Sequence, residues 1–246
     1  MEQQFPTEMV TLPSKGLLYP EGNPLKQGEI EMKYMTAREE DILTNQNLIE
    51  NGTVIDKLLQ SLIVSTIDYN DLLIGDKNAV LVAARILGYG KDYEFEYNGE
   101  KIEVDLTTIS DKPLNESISK IGKNEFPFTL PTSKVGVTFK LLTHKDEKAI
   151  DSEIKGLKKI NKHSSAEIST RLKHLITSIN GDFEKSTIRE FVDTRLLAID
   201  SRALRNHITD MQPDTDLNFE YEDRNGNTVR VPIPIGVGFF WPDAQL

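Results

Sequence analysis

The sequence predicts an α+β protein made of two similar modules, each with a strand, helices and a β-hairpin, flanked by extended amino- and carboxy-terminal arms. Two observations lead to this prediction. Stretches of alternating apolar and polar residues are joined by Asn-Gly pairs, the strongest short signal for a hairpin. The same order of elements then recurs in the second half of the 246 residues, which indicates an internal duplication.

The first predicted module begins with a strand over residues 30–35, where apolar and polar residues alternate. Thr36 and Glu39 follow with the spacing of a capping box, in which each side chain binds a free amide at a helix start. This spacing predicts a helix from residue 37 to about residue 45. The remaining predicted elements are helices over residues 54–64 and from about 77 to 87, with Asp76 as the cap of the latter, and a hairpin turning at Asn98-Gly99.

The second half repeats this order. A strand over residues 137–142 precedes Thr143 and Asp146, which match Thr36 and Glu39. At a constant offset of 124 positions, the triplet Phe219-Glu220-Tyr221 matches residues 95–97. The preserved order favours a duplication, while two unrelated α+β stretches with similar turns stay open as the alternative. The predicted divisions are an arm (1–29), a first module (30–110), a linker (111–132), a second module (133–233) and an apolar tail (234–246).

The composition excludes several classes of function. The absence of cysteine excludes disulfides, thiol catalysis and thiolate-bound metals, and the default compartment is a reducing cytosol. The net charge of −10 argues against broad binding to nucleic acid or anionic membranes. The sequence contains no run of about 18 apolar residues, so it predicts no membrane helix. The basic stretch 155–162 fits a solvated helix face or a contact with an acidic partner better than a phosphate site.

No motif predicts a catalytic, cofactor or metal site. The four histidines, His144, His163, His174 and His207, do not have the spacing of metal ligands. No nucleophile motif or phosphate-binding loop occurs. Acidic pairs are frequent at predicted helix starts, where the helix dipole favours them. An enzyme that uses two of these carboxylates stays open as an alternative.

Both arms contain large apolar side chains that need a surface to pack on. The amino-terminal arm has Leu17, Leu18 and Tyr19, and the tail has Phe239, Phe240 and Trp241, the single tryptophan. Aromatic anchors of this kind are typical of interface hot spots. These six residues are the candidate partner-binding residues. Docking of the tail on the chain's own body is the alternative.

Four stretches resemble a known family. LPSKGLLYPEG (12–22), KYMTAREEDIL (33–43), VIDKLLQSLIV (54–64) and FFWP (239–242) look like the baseplate hub subunit and hub-assembly family of T4-like contractile-tailed bacteriophages. The resemblance implies a non-enzymatic protein, without cofactor, that is needed to build the central hub of the baseplate.

The expected partners are therefore other phage baseplate hub and tail proteins, with no nucleic acid and no stable membrane insertion. The expected location is the cytoplasm of the host cell during assembly. Presence in the tail of the mature virion, the choice between hub component and assembly chaperone, and a homo-oligomer all stay open. A generic scaffold or adaptor outside phage tails is the second hypothesis.

Overall fold

Helices alternate with small antiparallel sheets in the computed structural model, which describes residues 6–115, 123–160, 166–222 and 226–240. This arrangement confirms the predicted α+β class. The first half contains β1 (Thr7–Thr11), β2 (Glu29–Lys33), α1 (Ala37–Leu43), α2 (Gln46–Glu50), α3 (Val54–Leu62), α4 (Ile74–Tyr89), β3 (Asp92–Tyr97) and β4 (Glu100–Asp105). The second half contains β5 (Phe126–Thr129), β6 (Gly136–Phe139), α5 (His144–Ile160), α6 (Glu167–Leu175), β7 (Ile176–Ile179), α7 (Lys185–Thr194), α8 (Ala198–Met211), β8 (Asn218–Glu222), β9 (Thr228–Pro232) and α9 (Val237–Phe240).

The amino-terminal arm is part of the sheet and core of the first half. β1 pairs antiparallel with β2, so that Val10 lies opposite Ile30. Leu12 and Leu25 are fully buried, and a short 3-10 helix over Pro24–Gln27 leads into β2. The boundary predicted at residue 29 therefore separates two strands that are hydrogen-bonded to each other.

Both predicted hairpins form. Asn98 and Gly99 have φ angles of 51° and 77°, the left-handed conformation that a tight two-residue turn requires. β3 and β4 pair across this turn, with Tyr97 opposite Glu100. β8 pairs antiparallel with β9, and its last residue Glu222 lies opposite Thr228, so this hairpin has residues 223–227 between its strands instead of two. The Asn-Gly pair at positions 225 and 226 predicts the turn of this hairpin, and Asn225 lies outside the described residues.

A strand lies inside the segment that was predicted as a linker. β5 pairs with β6, and β6 pairs with β7, so β5 forms one edge of a three-stranded sheet. Proline usually interrupts a strand because it has no N–H to donate. An edge strand can accommodate Pro127, since a residue whose N–H would point away from the sheet loses no hydrogen bond to the neighbouring strand. The second half therefore starts before residue 133.

The two halves share a hydrogen-bonded device at the start of a helix. The Lys33 ammonium donates to Glu39 (2.9 Å), whose carboxylate also accepts from the backbone N–H and hydroxyl of Thr36. In the second half, Asp146 accepts from Lys140 (2.7 Å) and from the N–H and hydroxyl of Thr143. The two sets place lysine, threonine and acid in the same order.

A second shared device anchors the segment after the first strand of each half. The Asp76 carboxylate of α4 accepts from the backbone N–H (2.8 Å) and hydroxyl (2.7 Å) of Ser14. The Asp200 carboxylate of α8 accepts from the N–H groups of Thr132 (2.8 Å) and Ser133 (2.9 Å). A duplication would produce such pairs, and the duplication itself stays a prediction.

Backbone contacts join the two halves. The segment at Leu73 bridges the segment at Thr143 in antiparallel fashion. On the far side, Asp111 bridges Thr215. Gly75 lies so close to the second half that an added Cβ would stand 1.8 Å from the carbonyl oxygen of Pro213. The halves therefore pack backbone against backbone.

The carboxy-terminal segment packs on the first half. α9 contacts α4, the ring of Phe239 meets the ring of Tyr93 edge-on with centroids 4.9 Å apart, and the Tyr93 hydroxyl donates to the carbonyl of Pro234 (3.2 Å). Phe239 and Phe240 are 1% and 0% exposed. An extended tail was predicted, but residues 237–240 form a short helical turn that buries both rings.

Candidate functional site

An open groove of about 740 Å³ lies between α3 and α5. One wall comes from the first half and the other from the second. We call it the lysine groove because four lysines are among the residues that line it. These residues are Asn51, Gly52, Thr53, Asp56, Lys57, Gln60, Asn70, His144, Lys148, Asp151, Ser152, Lys155, Gly156 and Lys159.

The sequence of α5 places three of the lysines in one row. Lys148, Lys155 and Lys159 are spaced at i, i+7 and i+11, and a helix that turns 100° per residue keeps these positions within about 40° of each other. Lys57 faces them from α3. Ile150 lies on a different face of α5 and is fully buried. The helix is thus amphipathic, with its lysines exposed along the groove.

The four ammonium groups have no carboxylate partner within the described ranges. None of them lies within 4 Å of an Asp or Glu oxygen there, whereas the nearby Lys77 and Lys140 pair with Asp56 and Asp146. The groove also contains the exposed Asp151, which lies on α5 between Lys148 and Lys155. The lysines therefore give the groove a local excess of positive charge in an acidic protein.

A partly buried polar cluster forms the floor of the groove. Asp56, at the start of α3, accepts hydrogen bonds from the Lys77 ammonium (2.6 Å) and the Tyr69 hydroxyl (3.0 Å). The rings of Tyr69 and His144 meet edge-on with centroids 4.6 Å apart. The cluster connects α3, α4 and the first residue of α5. The polar groups of these side chains bond to one another, and these contacts hold α3 and α5 together as the two walls of the groove.

His144 is neutral in this cluster. Its Nδ1 lies 3.4 Å from the Lys77 ammonium, which can only donate, so Nδ1 must carry the lone pair. The proton is then on Nε2, 3.6 Å from the Asp56 carboxylate. Burial and the charge of Lys77 hold the pKa of His144 below its usual value, against the opposing effect of Asp56. The imidazole therefore stays uncharged at neutral pH.

The candidate partner-binding residues occupy the interior of the chain. Leu18, Tyr19, Phe239 and Phe240 are all less than 5% exposed, and Leu17 is half-buried against the core. Their apolar groups are covered by the chain itself, so contact with a partner would require the arm or the tail to leave its place. Trp241 lies outside the described residues. The intramolecular alternative accounts for the described part of the tail.

Tyr19 has a structural role that the sequence did not reveal. Its hydroxyl donates to the Asp76 carboxylate (2.6 Å) and accepts from the backbone N–H of Leu73 (3.0 Å). Burial and the adjacent Asp76 raise the pKa of Tyr19, so the phenol stays protonated. Asp76 lies within α4, which starts at Ile74, so its carboxylate holds the arm and does not cap the helix. Burial raises the pKa of Asp76, although Tyr19 and Ser14 both donate to it.

No family model, curated protein or solved structure matches this chain. Within the described ranges, no group of three or more histidine and acidic side chains could hold a metal ion. The helices in those ranges are too short or too polar to cross a membrane. The candidate site therefore rests on the geometry of the groove.

Only part of the groove is predictable from the sequence. The basic stretch 155–162 contains Lys155 and Lys159, which do line it. The helical spacing back to Lys148 was a usable signal for a basic row. No signal in the sequence places Lys57 opposite this row, because its position depends on how the two halves pack.

Proposed function

We propose that this chain is a non-catalytic phage tail protein that acts in assembly of the baseplate central hub through protein–protein contacts, as a hub component or an assembly chaperone. The stretches at residues 12–22, 33–43 and 54–64 support the phage tail assignment by their resemblance to the hub family. The observation that supports a binding role is the lysine groove, an open concave surface whose ammonium groups lack partners within the described residues.

The arrangement of the groove fits binding better than catalysis. Its four lysines are exposed and spread along two helices, whereas an active site needs titratable groups that converge on one reacting atom. The polar groups on its floor already bond to one another. The partners proposed are other hub and tail proteins, in the cytoplasm of the host cell during assembly.

An enzyme with two carboxylates is the second candidate, because Asp56 and Asp151 both line the groove. Acid–base catalysis by two carboxylates needs one of them held protonated by its environment. Asp56 instead bonds to a lysine ammonium. Asp151→Asn separates the two candidates, since it would abolish a carboxylate-pair activity and leave hub assembly intact.

The test of the proposed function is deletion of the coding sequence from the phage that carries it. We expect infected cells to accumulate incomplete baseplates by electron microscopy, and a plasmid copy to restore complete tails. Complete tails from the deletion phage would overturn the proposal. Mass spectrometry of purified virions then distinguishes the two roles, because a hub component persists in fixed stoichiometry and a chaperone is found only with assembly intermediates.

A further inference from the structure

We propose that the lysine groove is the docking site for an extended acidic segment of a partner protein. This inference deepens the proposed function, on which it rests for the existence of a protein partner. It commits to the chemistry of that partner: a short stretch of chain without regular structure that carries several Asp or Glu residues.

Charge complementarity is the first argument. Lys57, Lys148, Lys155 and Lys159 are exposed and face one cavity, and the carboxylate of Asp56 on its floor is already bound to Lys77. Lys155 and Lys159 are four residues apart on α5, a spacing at which like charges repel, and the one other carboxylate in the lining, Asp151, is outnumbered by the four lysines. A segment with several carboxylates would relieve this repulsion and form new ion pairs in the same step.

The spacing of the lysines is the second argument. With a rise of about 1.5 Å per residue, Lys148 and Lys155 lie about 10 Å apart along α5, and Lys155 and Lys159 about 6 Å apart. An extended chain advances about 3.3 Å per residue. Carboxylates three residues apart and then two residues apart would therefore match the row in length, as in Glu-x-x-Glu-x-Glu. Side chains of a regular strand alternate between faces, so glycines between the acids are needed to let the chain rotate and turn all three carboxylates toward the lysines.

Gly156 keeps the wall of the groove open. A Cβ added there would meet no heavy atom within 4 Å, so the position borders empty space between Lys155 and Lys159. A backbone can approach α5 closely at this point. The groove thus offers room as well as charge to an extended segment.

The lining argues against nucleic acid as the occupant. Proteins that hold single strands stack bases on aromatic side chains and contact the backbone with cations. No Phe, Tyr or Trp side chain is among the described residues that line the groove, and its one imidazole, His144, is buried against Tyr69. The carboxylate of Asp151 within the groove also opposes a continuous run of phosphates, whereas a segment with spaced acids can avoid it.

The experiment measures binding of a fluorescein-labelled peptide, EGGEGE, to the full chain by fluorescence anisotropy at low salt. Its matched control peptide is QGGQGQ. The protein variants are the groove double K148Q/K155Q and the control double K145Q/K158Q. All four lysines are exposed on α5, and Lys145 and Lys158 do not line the groove. Both doubles lose the same charge, so they differ only in position.

We expect the acidic peptide to bind and the glutamine peptide not to bind. The groove double should weaken binding about 3- to 30-fold, since each exposed ion pair contributes modestly, and the control double less than about 2-fold. The fluorescein-labelled peptide should also be displaced by unlabelled EGGEGE but not by oligothymidine at the same charge concentration.

Three results would overturn the docking site: equal losses from both doubles, binding of the glutamine peptide, or tighter binding of oligothymidine. These results leave the proposed function untouched, because that function is tested by baseplate assembly in the deletion phage. Conversely, complete tails from the deletion phage together with groove-dependent peptide binding would refute the hub function and leave the acidic docking site standing.

Discussion

Removing one hydroxyl from Tyr19 should destabilise the whole fold. Tyr19→Phe deletes the donor to the buried Asp76 carboxylate and the acceptor for the Leu73 N–H. A hydrogen bond to a charged group contributes about 1.5–3 kcal/mol, and a buried N–H left unpaired costs about 1–3 kcal/mol. The expected loss is therefore about 2.5–6 kcal/mol, a large share of the roughly 5–15 kcal/mol that stabilises a typical domain.

The assay is urea unfolding followed by circular dichroism, with the free energy of unfolding extrapolated to water. Tyr34→Phe is the matched control, because the Tyr34 hydroxyl bonds to Glu8 at an exposed position. That variant should leave the unfolding midpoint unchanged. A loss below about 0.5 kcal/mol for Tyr19→Phe, the range of neutral surface changes, would refute the argument that Asp76 anchors the arm through this hydroxyl.

Three further predictions concern packing and pH. Gly75→Ala should lower the free energy of unfolding by about 1–3 kcal/mol, because its Cβ would stand 1.8 Å from the Pro213 carbonyl oxygen. Gly156→Ala is the control: its Cβ would meet no heavy atom within 4 Å, and it should raise the free energy of unfolding by up to about 1 kcal/mol. Equal effects of the two changes in urea titrations would contradict this. Burial lowers the pKa of His144, so the unfolded chain takes up its proton first and the wild type should lose stability as the pH falls below about 6.5, by at most about 1.4 kcal/mol per pH unit. In His144→Gln the unfolding temperature should depend less on pH over this window. An unchanged pH dependence in that variant would contradict the neutral imidazole. Burial disfavours ionised Asp146, but its hydrogen bonds outweigh burial and lower its pKa. Asp146→Asn should therefore destabilise the chain at pH 7 by about 1–3 kcal/mol. The difference should shrink as the pH falls below the ordinary pKa of about 4 and vanish below the lowered pKa of the folded state. A difference that persists in stronger acid would point to lost packing instead.

Local signals predicted the elements that local chemistry determines. The capping box of Thr36 and Glu39 placed α1 correctly at its start, because both partners lie within one helical turn. The Asn98-Gly99 turn predicted the first hairpin because only residues that tolerate positive φ can make it.

Elements that depend on tertiary contacts were not predictable in the same way. α4 starts at Ile74 after Leu73, a residue without a capping side chain, and pairing with the segment at Thr143 fixes that start. β5 contains Pro127 and was missed, since its place at a sheet edge is a property of the assembled sheet. The basic stretch 155–162 indicated the wall that α5 forms. The opposite wall, formed by α3, depends on the packing of the two halves and could not be predicted.

The position of α9 on the first half has a consequence for synthesis of the chain. Tyr93 completes its contacts only with Pro234 and Phe239, and its hydrogen bond spans 141 residues. At about 5–20 residues per second, the ribosome needs about 7–28 s to make the intervening chain. The first half must wait that long with an apolar surface uncovered. A nascent chain therefore depends on rapid completion, and a stalled or shortened product would be exposed to aggregation and proteolysis before α9 could cover this surface.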